Sequence, residues 1–246
     1  MSSSVMAAVG YVRLRAGLPG DRPQSIPELP LPVLKLLLWG MRKTMLFACL
    51  VAPGLFAQVP NQEHHKHMHA DTYAKVLEDP SRDAWQKPHD VVMALALKQT
   101  ETVADIGAGT GYFSRRFARH AGAVWAVDID PKLLAIAGKD KPDNLKLVLA
   151  KLDDPSLPAG AVDTIFICDV WHHIDGRPAY LQKLKQALKP GGRIVVIDFK
   201  EGKLPVGPPP SMKITEKDMV REFASAGFQV SQRHDLLPHQ YFLEFR

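Results

Sequence analysis

Cysteine is nearly absent from this chain. Cys49 and Cys168 are the two in 246 residues, and loss of the segment carrying Cys49 leaves one thiol and no internal disulfide. Long apolar runs are also scarce. The clearest, Thr44 to Ala57, has 14 residues and is broken by Pro53 and Gly54, short of the about 20 that a membrane-spanning helix needs. Nor does one sign of charge dominate the main body. Residues 1–57 carry six Lys/Arg against two Asp/Glu, and the remainder carries 25 against 24. The overall net charge of +5 therefore comes mostly from the N-terminal segment. Lys and Arg are scattered rather than striped, so there is no electrostatic case for a nucleic-acid partner. No internal repeat is visible. A chain of this length can bury a large core, and one main domain is expected.

The N-terminal segment carries its own message. Met41-Arg42-Lys43 is a short cationic start, an apolar stretch follows, and Leu55-Phe56-Ala57 offers a cleavage site after Ala57. This is the layout of a secretory signal peptide. Residues 1–57 are thus read as a leader with its signal at 41–57 and translation starting at Met41; a genuine flexible leader is the alternative. Residues 58–84 are read as a His-rich tether with an N-terminal helix, and 85–246 as the main domain. The tether holds His64, His65, His67 and His69. Clustered imidazoles can bind a transition metal, but no Cys or carboxylate at ligand spacing completes a geometry, so no metal site is assigned. The expected location is periplasmic or secreted, or cytoplasmic if the signal is inactive. Membrane contact is expected only through the signal segment.

The most informative stretch is TVADIGAGTGYFS, from Thr102 to Ser114. Val103, Ala104 and Ile106 suit a strand buried on both faces of a parallel sheet. Gly107, Gly109 and Gly111 then allow a tight turn and close approach of a ligand to main chain. Tyr112, Phe113 and Phe117 begin a helix whose N-terminal amides are expected to face that ligand. Asp128 lies 21 residues after Gly107, at the end of the next apolar strand, where a carboxylate can accept two ribose hydroxyls. The glycine spacing is GxGxG, the loop holds no basic residue, and Asp105 sits two residues before Gly107. A diphosphate is poorly served there. A cationic, phosphate-free nucleoside suits the loop better than a nicotinamide dinucleotide.

Four segments in order, VADIGAGTG (103–111), AVDID (126–130), VDTIFICDVWHHI (162–174) and LKPGGRIVVIDF (188–199), make the chain resemble the class I S-adenosylmethionine-dependent methyltransferases. The resemblance spans roughly Trp85 to Phe245. It implies S-adenosylmethionine as cofactor, with Gly107, Ala108, Gly109, Gly111, Tyr112 and Ile129 around it. It also implies that Asp128 holds the ribose and that Asp105 lies near the amino group. An acid after the third strand often contacts adenine in this family. Lys151 stands where that acid is commonly found, so Asp153 and Asp154 are the candidates. The set GPPP…LPHQYFLEF resembles an exported bacterial subgroup.

Strands are expected near 102–106, 123–128, 145–150, 162–168 and 192–199, and helices near 112–121, 131–138 and 177–189. Two short helices, separated by SRDAWQKP, are expected between Asp71 and Lys98. Thr215 caps a last helix with Val220, Phe223 and Ala224 inward. Two strands joined near Pro238 are too close for anything but an antiparallel pair. The expected fold is α/β: a Rossmann-like doubly wound seven-stranded sheet, mostly parallel with one antiparallel C-terminal strand.

Methyl transfer needs an aligned nucleophile and exclusion of water, and a base only if the nucleophile must lose a proton. The end of the fourth strand offers Asp169, Trp171, His172 and His173. Asp169 is counted with both the cofactor and the catalytic positions. At most one of the adjacent histidines is expected to face the methyl group; a structural histidine bonded to backbone or to Asp175 is the alternative. Trp85 and Gln86 are placed to fold over the pocket, with Trp85 as a packing anchor the alternative. Residues 200–215 are proline-rich and suit a substrate-side rim, with His234, His239 and Tyr241 closing the same mouth. The expected acceptor is a small molecule and the expected state a monomer or weak dimer. The rivals are a nicotinamide-dependent oxidoreductase and an exported, non-catalytic nucleoside- or metal-binding protein. Fractionation with an antibody to the C-terminal half should find a shortened chain outside the cytoplasm; full-length chain in the cytosol alone would exclude export.

Overall fold

The computed structural model describes residues 70–246. The leader, the signal segment with Cys49 and the His-rich tract all lie outside the described residues. The first element is helix α1 (Ala70–Leu77), followed by α2 (Arg82–Gln86) and α3 (Pro88–Ala94). The chain then alternates: β1 (Thr102–Ile106), α4 (Ser114–Phe117), β2 (Ala123–Asp128), α5 (Pro131–Gly138), β3 (Leu145–Leu149), β4 (Val162–Cys168), α6 (Arg177–Ala187) and β5 (Leu188–Phe199). Helix α7 (Glu216–Ser225) and the pair β6 (Val230–His234) and β7 (Gln240–Phe245) complete it. Among the described residues no helix is long and apolar enough to cross a membrane.

The seven strands run in the order β3-β2-β1-β4-β5-β7-β6. All adjacent pairs from β3 to β5 are parallel, and β7 is antiparallel to both its neighbours. Successive strand residues point to opposite faces, and that alternation divides the core. Ala104, Ile106, Ile165, Ile167, Ile194 and Val196 join Leu181 and Leu184 of α6 and Met219 and Phe223 of α7 on one face. Val103, Phe166, Val195 and Ile197 join Val91 and Val92 of α3 and Phe117 of α4 on the other. The chain leaves β1 toward β2 and β3, then returns to place β4 and β5 on the opposite side of β1. The strand order therefore reverses between β1 and β4, where open α/β sheets bind ligands beyond the carboxyl ends of their strands.

Several expected boundaries shift for local reasons. RDAWQ is itself the helix α2, so three short helices occupy Asp71–Lys98 rather than two; Lys87 at φ 44 breaks the helix and Pro88 opens the next. The helix expected over 112–121 is α-helical only at Ser114–Phe117. Around it Arg116, Arg119 and His120 donate to the carbonyls three residues back, a tighter turn than an α-helix allows. Helix α6 stops at Ala187, because Leu188 already pairs with Val162 and the residue before a proline disfavours helical backbone. Ala224 is exposed, while Met219 and Phe223 carry the inward face of α7.

Phe223 is fully buried, with its ring 4.2 Å from Phe245 and 5.1 Å from Trp171 between centroids. Phe223→Ala should lower unfolding free energy by about 3–5 kcal/mol, read from the denaturant midpoint.

Candidate functional site

A cavity of about 980 Å³ opens over the carboxyl ends of β1, β2, β4 and β5. Four acids mark these ends: Asp105 in β1, Asp128 closing β2, Asp169 just after β4 and Asp198 in β5. An acid at the end of an apolar strand is costly to bury unless it is bonded, and each of these is. Ser114 Oγ donates to Asp105 at 2.5 Å. The Gly109 and Asp130 amides donate to the two oxygens of Asp128 at 2.7 and 2.9 Å. Gln240 Nε2 donates to Asp169 at 2.5 Å, and Gln86 Nε2 donates onward to Gln240 at 2.8 Å. Asp198 accepts the Phe199 amide at 2.8 Å and meets His172.

The glycine loop is shaped by β2. Gly107 and Ala108 donate to the Val127 carbonyl, Gly109 to Asp128, and Gly111 to the Ala108 carbonyl. These four loop amides are thus already bonded within the fold. A phosphate site needs such amides open, so the loop does not fit a diphosphate. Gly107 has φ +69, and a Cβ there would lie 2.3 Å from Val170. Gly107, Ala108 and Gly109 form the cavity floor. Gly111 does not line it; a Cβ at Gly111 would meet Ala137 of α5 at 3.2 Å, so this third glycine serves helix packing.

The helical segment before Trp85 covers the loop. A Cβ on Gly109 would lie 2.9 Å from Leu77, Thr110 donates to Glu78, and Tyr112 donates to Asp83. Tyr73, Val76, Leu77 and Arg82 line the cavity with Tyr112 and Ile129. Arg82 lies 4.0 Å above the Tyr112 ring and donates to the Leu77 carbonyl at 3.2 Å. Trp85 lines the cavity too, its ring 5.8 Å from Phe199. Gly207 and Pro208 bring the proline-rich rim to the same wall.

Other expected positions are corrected. Asp153 and Asp154 do not enter the cavity. The Lys151 and Asp154 backbones pair across a tight turn, which projects both acids toward Lys183 at 3.5 and 3.3 Å; Lys151 and Leu152 line the wall instead. Trp171 points into the core and donates to Glu222. His234 bonds Glu244, and Tyr241 donates to the Ile214 carbonyl; neither these two nor His239 line the mouth. His172 and His173 both line the cavity, because the turn Trp171–His173 is a 3-10 turn with the two rings 4.2 Å apart. The partner of His172 is Asp198, not Asp175.

Burial is the main force on the acids. It raises Asp105 and Asp169 to about 7 each, with Arg82 pulling the other way. It also raises Asp128 against the pull of its two amide donors. Asp169 stands at φ 60, a left-handed conformation that Asp tolerates better than most residues. Gln86, expected over the pocket with Trp85, is instead buried and does not line the cavity; the sequence reading missed Arg82, Ser114, Asp198 and Gln240. Asp198 alone left a signal, as a fourth acid at the end of an apolar strand, in IVVIDF. Among the described residues no group of His, Cys, Asp and Glu is arranged to hold a metal.

The sign of the pH effect follows. The folded-state pKa of Asp105 lies above its ordinary 3.8, so its contribution to stability is full below that value and is lost as pH rises through about 7. The melting temperature of the ligand-free protein should fall between about pH 4 and about pH 7. Asp105→Asn should make that slope shallower and raise the melting temperature at the alkaline end. A slope unaltered by the substitution would remove Asp105 from this account.

Residues 104–196 match the methyltransferase domain family. Demethylmenaquinone methyltransferase of Tropheryma whipplei is 32% identical over 116 residues, 46% of this chain and 48% of that protein. The ubiquinone/menaquinone biosynthesis C-methyltransferase of Neisseria meningitidis is 28% identical over 120 residues, 46% of this chain and 49% of that protein. The match thus spans about half the length of these relatives. Among solved structures, a SAM-dependent methyltransferase from Aquifex aeolicus shares the fold with a TM-score of 0.67 and 24% identity, covering 72% of this chain and 98% of that one. A DhpI complex with SAM aligns with a TM-score of 0.59 and 18% identity over 75% of this chain and 95% of that one. The sheet order and the glycine loop bonded to its carboxylate go with this similarity: the chain shares the fold of these methyltransferases, and residues 104–196 carry the match to the methyltransferase domain.

Proposed function

We propose that this chain moves a methyl group from S-adenosylmethionine to a small, planar, apolar acceptor held beside Trp85 and Phe199. One observation carries the reading: a single cavity runs from the glycine loop and Asp128 to His172 and the Trp85–Phe199 pair. Its acid-rich floor fits a ligand with an ammonium and a sulfonium group, and its bonded loop amides fit one without phosphate. Asp128 keeps a lone pair on each oxygen for a ribose diol. Asp105 and Asp169 face the cationic portion, and Arg82 is placed for the donor carboxylate. When bound, the donor supplies a methyl group already activated on sulfur.

The residues then orient and enclose. Leu77, Glu78 and Asp83 hold the N-terminal helices against Gly109, Thr110 and Tyr112, which keeps water from the cavity on that side. The rings of Trp85 and Phe199 offer flat apolar surface. The names of the relatives point to quinone biosynthesis, and a quinol-like ring is the acceptor we carry to this chain. Export through residues 41–57, action as a monomer or weak dimer, and the absence of a nucleic-acid partner belong to the same proposal. A nicotinamide oxidoreductase is disfavoured by the bonded loop amides. A binding protein without catalysis would hold the donor and turn over no acceptor.

Asp128→Asn tests the donor site while keeping the shape of the side chain. Affinity for S-adenosylhomocysteine should fall about 10- to 150-fold, since a charged acceptor is worth about 1.5–3 kcal/mol per hydrogen bond. Unchanged affinity in calorimetry would refute the role.

A further inference from the structure

The methyltransferase reading leaves one pair unexplained. The His172 side chain is 3% exposed and that of Asp198 fully buried, and Nδ1 of His172 lies 3.0 Å from both carboxylate oxygens. Asp198 also accepts the Phe199 amide. An ionised carboxylate only accepts, so the ring proton sits on Nδ1 and Nε2 carries the lone pair. Among the described residues Asp198 is the one hydrogen-bonding partner of the ring, and His172 lines the cavity. The neighbouring charged or titratable groups include Cys168, Asp169, His173 and Tyr241.

We propose that His172 is the proton acceptor of the reaction, that Asp198 positions it, and that the acceptor substrate is an aromatic compound with an ionisable hydroxyl. A burial cost this large is met by a base held in one tautomer, the logic of a carboxylate-oriented imidazole. Transfer to an amine already neutral or to a thioether would use no such base. The hydroxyl O–H bond breaks and its proton passes to Nε2. The oxygen electron pair forms the new bond to the methyl carbon, and the pair of the broken S–CH₃ bond stays on sulfur. The imidazolium then loses its proton to solvent. For attack from the ring carbon beside the hydroxyl the same electrons act through the ring; the ring C–H proton then leaves to solvent as aromaticity returns, and the imidazolium gives its proton back to the oxygen, so one proton is released in all. This inference rests on the methyltransferase reading.

Two catechols differing in acidity test it. Catechol must be deprotonated by the protein, whereas 4-nitrocatechol reaches the site largely ionised. His172→Gln should depress turnover of catechol about 10²-fold or more beyond its effect on 4-nitrocatechol, and Asp198→Asn should act in the same selective direction. Equal losses on both acceptors, or none, would overturn the proposal. A second readout needs no turnover. Bound to the wild-type protein just below its own pKa, 4-nitrocatechol should show its phenolate absorbance, and bound to His172→Gln it should not; identical spectra would count against proton transfer. Calorimetry with S-adenosylhomocysteine separates the two ideas. If the wild type fails to bind it, the methyltransferase reading falls, while the nitrocatechol spectra still decide whether His172 takes a proton.

Discussion

The site depends on one hydrogen bond, from the Gly109 amide to the carboxylate of Asp128. It ties the turn after β1 to the end of β2. The Val127 carbonyl reinforces it by accepting from both Gly107 and Ala108. A loop fixed this way has a bare surface and little electrostatic appetite for anions, because its donors already point at β2. Charge-assisted bonds to backbone amides are stronger than neutral ones, so the acid we propose for the ribose also fixes the cavity floor. Binding and folding thus share a carboxylate.

Asp105, Asp128 and Asp169 each stand at the end of a buried strand and line one cavity, and the Arg82 guanidinium opposes the effect of burial on Asp105 and Asp169. Without a ligand, burial drives Asp105 and Asp169 toward the neutral form. A cation entering the cavity favours the ionised form, so part of its attraction is spent on releasing protons. A neutral nucleoside would gain nothing from the same arrangement. Electrostatics here discriminates between ligands of similar shape more than it stabilises the empty fold.

The sheet was legible in the sequence because its strands are near-continuous apolar runs with turn signals between them. The glycine loop and Asp128 were legible because spacing alone places a carboxylate beside a turn that only glycine can make. The cover was not. RDAWQ carries no period strong enough to declare a five-residue helix; Gln86 is placed by Cys168 of β4 and Gln240 of β7, and Arg82 by the Tyr112 ring, all remote in sequence. Gln86 reaches Gln240 across 154 positions, a pairing that no local pattern encodes. Asp153 and Asp154 show the opposite failure: a plausible local position was overruled by a tight turn and by Lys183 on a neighbouring helix.

The His172–Asp198 pair follows from register. β4 and β5 are parallel, and Cys168 lies beside Ile197. The Asp169 amide then donates to the Ile197 carbonyl at 2.9 Å, which holds the end of β4 against β5 while Asp169 turns the chain at positive φ. A short 3-10 turn folds the histidines back over the strand ends. Asp198, one residue beyond Ile197, is then close enough to meet the first of them. A one-residue slip of β5 would send that carboxylate to the opposite face of the sheet, away from His172. Asp198 follows Ile194 and Val196 on the same side of β5, so the register that buries those two against α6 and α7 also decides which carboxylate meets His172.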